Sequence, residues 1–179
     1  NPIEQGDRPR PFGSLDLDRF VVPLDGHPEV MVVSKEPEEK LNFGNGWHQD
    51  VLFQEKPALG SLLYARETPP IGGDTMFANQ YLAYESLSDG MRAMLDGLVA
   101  LNTAEGGYGK ETLAKKFDGQ GRSIEIRRDR QEEAEIEVPH PVVRTHPETG
   151  RKALFVCRAY TKRLEGMTVE ESAPLLQYL

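Results

Sequence analysis

Apolar residues fall along this chain in short clusters set apart by turn-forming residues, not in long periodic stripes. Residues 29–34 (EVMVVS), 61–66 (SLLYAR) and 74–78 (DTMFA) are apolar, partly β-branched runs of strand length. Pro69-Pro70 and Gly72-Gly73 place a turn between the second and third. From 79 to 87 the spacing becomes helical, with Tyr81, Leu82, Tyr84 and Leu87 recurring on one side. Ser88 is the predicted N-cap of a second helix whose apolar face is Met91, Met94, Leu95 and Leu98. Residues 98–103 return to a strand pattern. The runs 141–144 and 153–156 flank the turn His146-Pro147-Glu148-Thr149-Gly150 and predict a hairpin. Thr168 and Glu171 stand at capping-box spacing before a last helix with Leu175, Leu176 and Leu179 on its apolar side. Short strands with a few helices predict a mainly β fold with flanking helices, a sandwich or jelly roll.

Three stretches break this pattern. Residues 1–28 are rich in Pro, Gly and Asp and read as loop, and 35–46 are charged and then glycine-rich. Residues 105–137 are polar and charge-dense, which reads as a solvated insertion or as an active-site lid. No repeat or linker divides the chain, so 1–179 is read as one domain. It begins without Met and ends at Leu179 inside a helical pattern, so the domain is expected to be partial at both ends.

Charge narrows the function. Asp and Glu number 29 against 21 Lys and Arg, a formal net charge of -8. Such a chain gains nothing from nucleic-acid phosphates and little from anionic membranes, so neither is an expected partner. No apolar run approaches the roughly 20 residues that span a bilayer. A single cysteine, Cys157, suits a reducing compartment, and a cytoplasmic protein acting on a small molecule, assembled as a homo-oligomer, is expected.

The candidate chemistry lies in Trp47-His48-Gln49-Asp50-Val51. In an extended segment, residues two apart point to the same side, so His48 and Asp50 converge while Gln49 faces away. An imidazole and a carboxylate so placed supply two corners of a 2-His-1-carboxylate triad, which leaves open positions on Fe(II) for an oxygen-activating reaction. The bare pattern His-x-Asp also occurs as an ordinary surface pair. A zinc or manganese hydrolase or isomerase, or a sandwich with no site, are the other readings it allows.

The wider context is more specific. Trp47 to Val51, Pro57, residues 61–67 and Gly72-Gly73-Asp74-Thr75 resemble the TauD/TfdA (taurine dioxygenase) family. The later run His140-Pro141-Val142-Val143-Arg144-Thr145-His146-Pro147, with Gly150 and 153–156, is similar to the same family in the same order. The resemblance implies a double-stranded β-helix (jelly roll), incomplete in this chain. It implies a dioxygenase using Fe(II), with 2-oxoglutarate and O2 as cosubstrates. His48 and Asp50 match the first two iron ligands. Thr75 matches the residue whose hydroxyl holds the 2-oxoglutarate carboxylate. Val51, Phe155 and Tyr160 are candidate substrate-lining residues. The family's third ligand, a His, and its cosubstrate-binding Arg have no counterpart before Leu179; His27, His140 and His146 do not match them. A catalytically inactive or truncated binding module is therefore the alternative.

The substrate side departs from taurine dioxygenase. After Phe12-Gly13 this chain has no His or Tyr in 14–20, and Gly44 stands where an asparagine is expected. Taurine is not the expected substrate. The carboxylate at Asp50 favours hydroxylation, because related halogenases lack it to admit halide.

Overall fold

A computed structural model describes residues 13–37, 44–116 and 124–179 of the chain. The loop readings for 1–12 and 38–43 and the centre of the polar segment, 117–123, lie outside the described residues.

Two helices form where the predicted caps at Ser88 and Thr168 place them, and a third has a cap that its spacing alone does not name. Asn79 closes the start of α1 (Gln80–Glu85), its Oδ1 accepting from the N–H groups of Tyr81 and Leu82. Ser88 accepts from Met91 N at the start of α2 (Asp89–Leu95), and the chain then enters strand β1 (Val99–Asn102). Two short helices follow, α3 (Glu105–Tyr108) and α4 (Lys110–Lys116), and after 124 a run of 3-10 turns, Arg128–Glu135. Strands β2 (Val138–Pro141), β3 (Val143–Thr145), β4 (Lys152–Leu154) and β5 (Thr161–Leu164) precede α5 (Val169–Tyr178). The α5 capping box is complete: Thr168 Oγ1 accepts from Glu171 N, and the Glu171 carboxylate accepts from Thr168 N.

β1 is the centre of a three-stranded antiparallel sheet, with β2 on one side and β5 on the other. The β1–β5 pairing shifts register between Leu101 and Asn102, a bulge that turns the end of β1. β3 and β4 form the predicted hairpin, with Val143 opposite Leu154. Two apolar clusters result. Leu95, Ala100, Val142, Leu154 and Leu164 close one, which Leu175 and Leu176 of α5 and the following Leu179 cover. Phe20, Phe53, Tyr108, Leu113, Ile124 and Ile126 belong to the other. Much of that second cluster comes from the segment that composition reads as solvated. Among its described residues Lys110, Arg128, Asp129, Glu132 and Glu135 are exposed, while Tyr108, Leu113, Ile124, Ile126 and Ala134 pack inward.

The strands expected at 29–34, 61–66 and 74–78 are absent among the described residues. The reason is pairing. Apolar, β-branched sequence favours extended chain, but a strand exists only against a neighbour that takes up its N–H and C=O groups. Val30 instead closes a tight turn, its N–H donating to His27 O and its carbonyl accepting from Leu24 N. Leu63 and Phe77 stand 81% and 90% exposed.

One ion pair spans the three-stranded sheet. Arg163 on β5 donates to both carboxylate oxygens of Glu137, at 3.0 and 2.5 Å, just before β2. These hydrogen bonds from Arg163 hold the Glu137 carboxyl below its usual range. A lowered folded-state value means that the stabilisation is present above the unfolded glutamate value. It is lost as pH falls through the folded one. Glu137→Gln is expected to lower stability at neutral pH and to converge with wild type in acid. Denaturant midpoints measured against pH check this.

Candidate metal centre

The glycine-rich approach sets the geometry. Gly44 takes a left-handed backbone, φ +72, and the chain runs through Gly46 to His48. His48 Nδ1 lies 2.7 Å from the carbonyl of Gly46, so the ring proton belongs on Nδ1 and Nε2 keeps its lone pair. Nε2 faces Asp50 Oδ1 at 3.3 Å. Neighbouring donors on one metal ion, with bonds of about 2.1 Å, sit roughly 3 Å apart. An imidazole nitrogen and a carboxylate oxygen at this spacing fit a divalent first-row ion. Gln49 points the other way, its Nε2 donating to Leu154 O of β4 at 3.4 Å.

The backbone turns sharply after the pair. Val51 has φ 49, a left-handed conformation that a β-branched residue rarely adopts. The turn sends Leu52 and Phe53 into the interior and leaves Asp50 outside. Ser61 then returns to the site, its Oγ donating to Asp50 Oδ2 at 2.8 Å. Among the described residues no third His, Cys, Asp or Glu joins the pair into a group that could hold a metal.

The other candidates take the following places. Val51 is half-buried against the aromatic cluster. Tyr160 packs edge-on to Phe53, with ring centroids 5.0 Å apart. Phe155 lies between His140, edge-on at 5.4 Å, and the Arg144 guanidinium, 4.6 Å above its ring. Thr75 is exposed and makes no hydrogen bond among the described residues. His140 is buried and donates from Nε2 to Gln54 O at 2.8 Å, bracing the loop after the pair. His146 caps the hairpin turn, its Nδ1 accepting from the N–H groups of Glu148 and Thr149. His27 faces Glu29 at 3.8 Å.

Sequence reasoning missed two residues here. One is Ser61. The other is Tyr108, which stacks on Phe20 at 4.9 Å and meets Phe53 edge-on. Burial pushes the Tyr108 phenol well above its ordinary range, with Tyr160, Asp18 and Asp50 adding to the effect. Burial does the same for Tyr160, helped by Cys157, Asp50 and Asp18. Both phenols therefore stay protonated, and neither hydroxyl has a hydrogen-bond partner among the described residues. A small cavity has Arg19, Phe20, Phe53, Gln54 and Glu133 among its lining; Tyr108, Tyr160, His48 and Asp50 are not part of it.

Comparison with known proteins fixes the class. Residues 6–179 match the family described as taurine catabolism dioxygenase TauD, TfdA family. The chain belongs to this family. It is 34% identical over 165 residues to an alpha-ketoglutarate-dependent sulfate ester dioxygenase of Pseudomonas putida, covering 92% of this chain and 49% of that protein. It is 29% identical over 177 residues to the (S)-phenoxypropionate/alpha-ketoglutarate-dioxygenase of Sphingobium herbicidovorans, covering 95% and 58%. The crystal structure of a taurine dioxygenase from Burkholderia xenovorans superposes with a TM-score of 0.59 at 34% identity, over 87% of this chain and 46% of that one. The chain thus spans about half the length of these relatives. Family membership implies Fe(II) as the metal and 2-oxoglutarate and O2 as cosubstrates. No helix among the described residues is long and apolar enough to cross a membrane.

Proposed function

We propose that the complete protein is an Fe(II)- and 2-oxoglutarate-dependent dioxygenase. It hydroxylates an aliphatic C–H bond of a small anionic organic molecule, with succinate and CO2 as co-products. The observation that carries this is the donor pair. His48 Nε2 and Asp50 Oδ1 lie 3.3 Å apart, and the other polar atom of each side chain is already engaged by Gly46 or Ser61.

The iron, when bound, supplies oxygen activation coupled to decarboxylation of the 2-oxo acid. The residues of this chain position and shield. His48, with its proton on Nδ1, offers a neutral nitrogen to the metal. Asp50 offers one anionic oxygen and lowers the net charge of the centre. Thr75, whose hydroxyl is exposed and free among the described residues, is assigned to the distal carboxylate of 2-oxoglutarate. Val51, Tyr160 and Phe155 are assigned to the substrate side. Their apolar surface suits the alkyl or aryl part of a substrate and keeps water from the oxidant. The protonated phenol of Tyr160 can donate to an acceptor oxygen of the substrate. The described parts of the polar segment, 105–116 and 124–137, are assigned as a flap over this side, rooted through Tyr108 in the aromatic cluster. A jelly roll completed by further strands, cytoplasmic location and homo-oligomeric assembly belong to the same proposal.

Relatives named for sulfate esters and phenoxypropionate support an anionic substrate class. The test is succinate formation by the complete, metal-free protein given Fe(II), 2-oxoglutarate and a panel of alkyl sulfates, alkanesulfonates and aryloxy acids. Succinate should appear only when Fe(II) and 2-oxoglutarate are both present and should rise with one member of the panel. No metal binding and no succinate would leave the binding-module reading, which the two-donor centre of the described residues also permits.

A further inference from the structure

We infer that Ser61 is a positioning residue for Asp50, holding the carboxylate so that a single oxygen, Oδ1, is presented to the metal. The inference rests on the metal-centre reading above and concerns a residue that the His-x-Asp pattern does not contain.

The Asp50 side chain is 59% exposed, so little packing restrains its terminal torsion. A carboxylate free to rotate can present either oxygen or both. The Ser61 hydroxyl removes that freedom. It lies 2.8 Å from Oδ2, and a hydroxyl donating to an anionic oxygen makes a strong, directional bond. Oδ1 is left facing His48 Nε2. The Gly46 carbonyl performs the matching task for His48 by holding its Nδ1 proton. Both ligand side chains are thus fixed from behind, as outer partners fix metal ligands generally.

The local fold explains how Ser61 arrives. The turn at Val51 reverses the chain, and buried Leu52 and Phe53 anchor the start of the loop. The loop ends at Gly60, where nothing crowds the backbone, and Ser61 follows beside the carboxylate. The consequence is chemical. A carboxylate bound through both oxygens would occupy one of the open positions that a 2-oxo acid and O2 require. By engaging Oδ2, Ser61 keeps Asp50 to one bond and that position open.

The experiment is anaerobic titration of the complete, metal-free protein with Co(II), read by its visible absorption, for wild type, Ser61→Ala and Ser61→Thr. Ser61→Ala should bind Co(II) about tenfold or more weakly, the range set by loss of an outer partner. Ser61→Thr keeps the hydroxyl and should restore affinity to near the wild-type value. The unfolding midpoint should be unchanged in both, because the residue is exposed. Wild-type affinity in Ser61→Ala would overturn the inference. So would equal weakening in both variants, since the loss would then come from the loop and not from the hydroxyl. Wild-type protein that binds no Co(II) would instead remove the metal-centre reading itself, and with it this role for Ser61.

Discussion

Replacing His48 with alanine in the complete protein should abolish 2-oxoglutarate-dependent succinate formation and reduce Fe(II) affinity far beyond the roughly 10–100-fold that loss of an outer partner costs. The expectation follows from the donor count. Among the described residues the centre has one nitrogen and one carboxylate to offer, at 3.3 Å, so His48→Ala removes half of what this part of the chain contributes. The fold should survive, because His48 is exposed and its ring meets only the Gly46 carbonyl and the exposed Asp50 carboxylate among the described residues. Stability within about 0.5 kcal/mol of wild type, as at other surface positions, is the companion result. Metal titration with a denaturant curve separates the two effects. A His48→Ala protein that still forms succinate would dismiss His48 as a ligand. A protein that simply unfolds would make it a structural residue.

The convergence of His48 and Asp50 is legible in the sequence because alternation along an extended segment is a local property. The caps at Ser88 and Thr168 and the hairpin around 146–150 are local in the same sense, and each appears at or within a residue or two of its predicted place. What was not legible depends on partners distant in sequence. Residues 61–66 and 74–78 have the composition of strands, yet composition does not supply the neighbouring strand. Tyr108 sits among glycines and charges, and only the fold shows that it stacks on Phe20. Ser61 reads as the first residue of an apolar run, and its bond to Asp50 spans eleven positions. A hydroxyl returning after a buried Leu52-Phe53 anchor is the one cue the sequence offered.

Asn102→Asp is expected to cause the largest loss of stability of any conservative change near the site, about 3 kcal/mol or more at neutral pH. Asn102 ends β1 at the register shift and is fully buried. Its Nδ2 donates to Ala100 O at 3.2 Å and Val138 O at 3.3 Å. Its Oδ1 accepts from Thr161 Oγ1 at 2.7 Å, and Thr161 Oγ1 in turn accepts from Cys157 N at 3.1 Å. Aspartate has nearly the same shape, so packing is unchanged. The two donors, however, become an oxygen facing two carbonyl oxygens, and ionisation buries an unpaired charge. The new carboxyl would therefore titrate above the ordinary aspartate value of about 3.9. Between the unfolded and folded values the folded state holds more protons, so stability falls as pH rises, and the deficit is smallest in acid. Urea midpoints across pH read this directly. A deficit independent of pH would place the cost in the lost Nδ2 bonds alone. The effect should also reach the site, because Thr103 N donates to Tyr160 O at 2.8 Å and Thr161 directly follows Tyr160. Loosening this network frees the strand end that holds the Tyr160 ring against Phe53, so the mutant's remaining activity should lose substrate affinity before it loses metal.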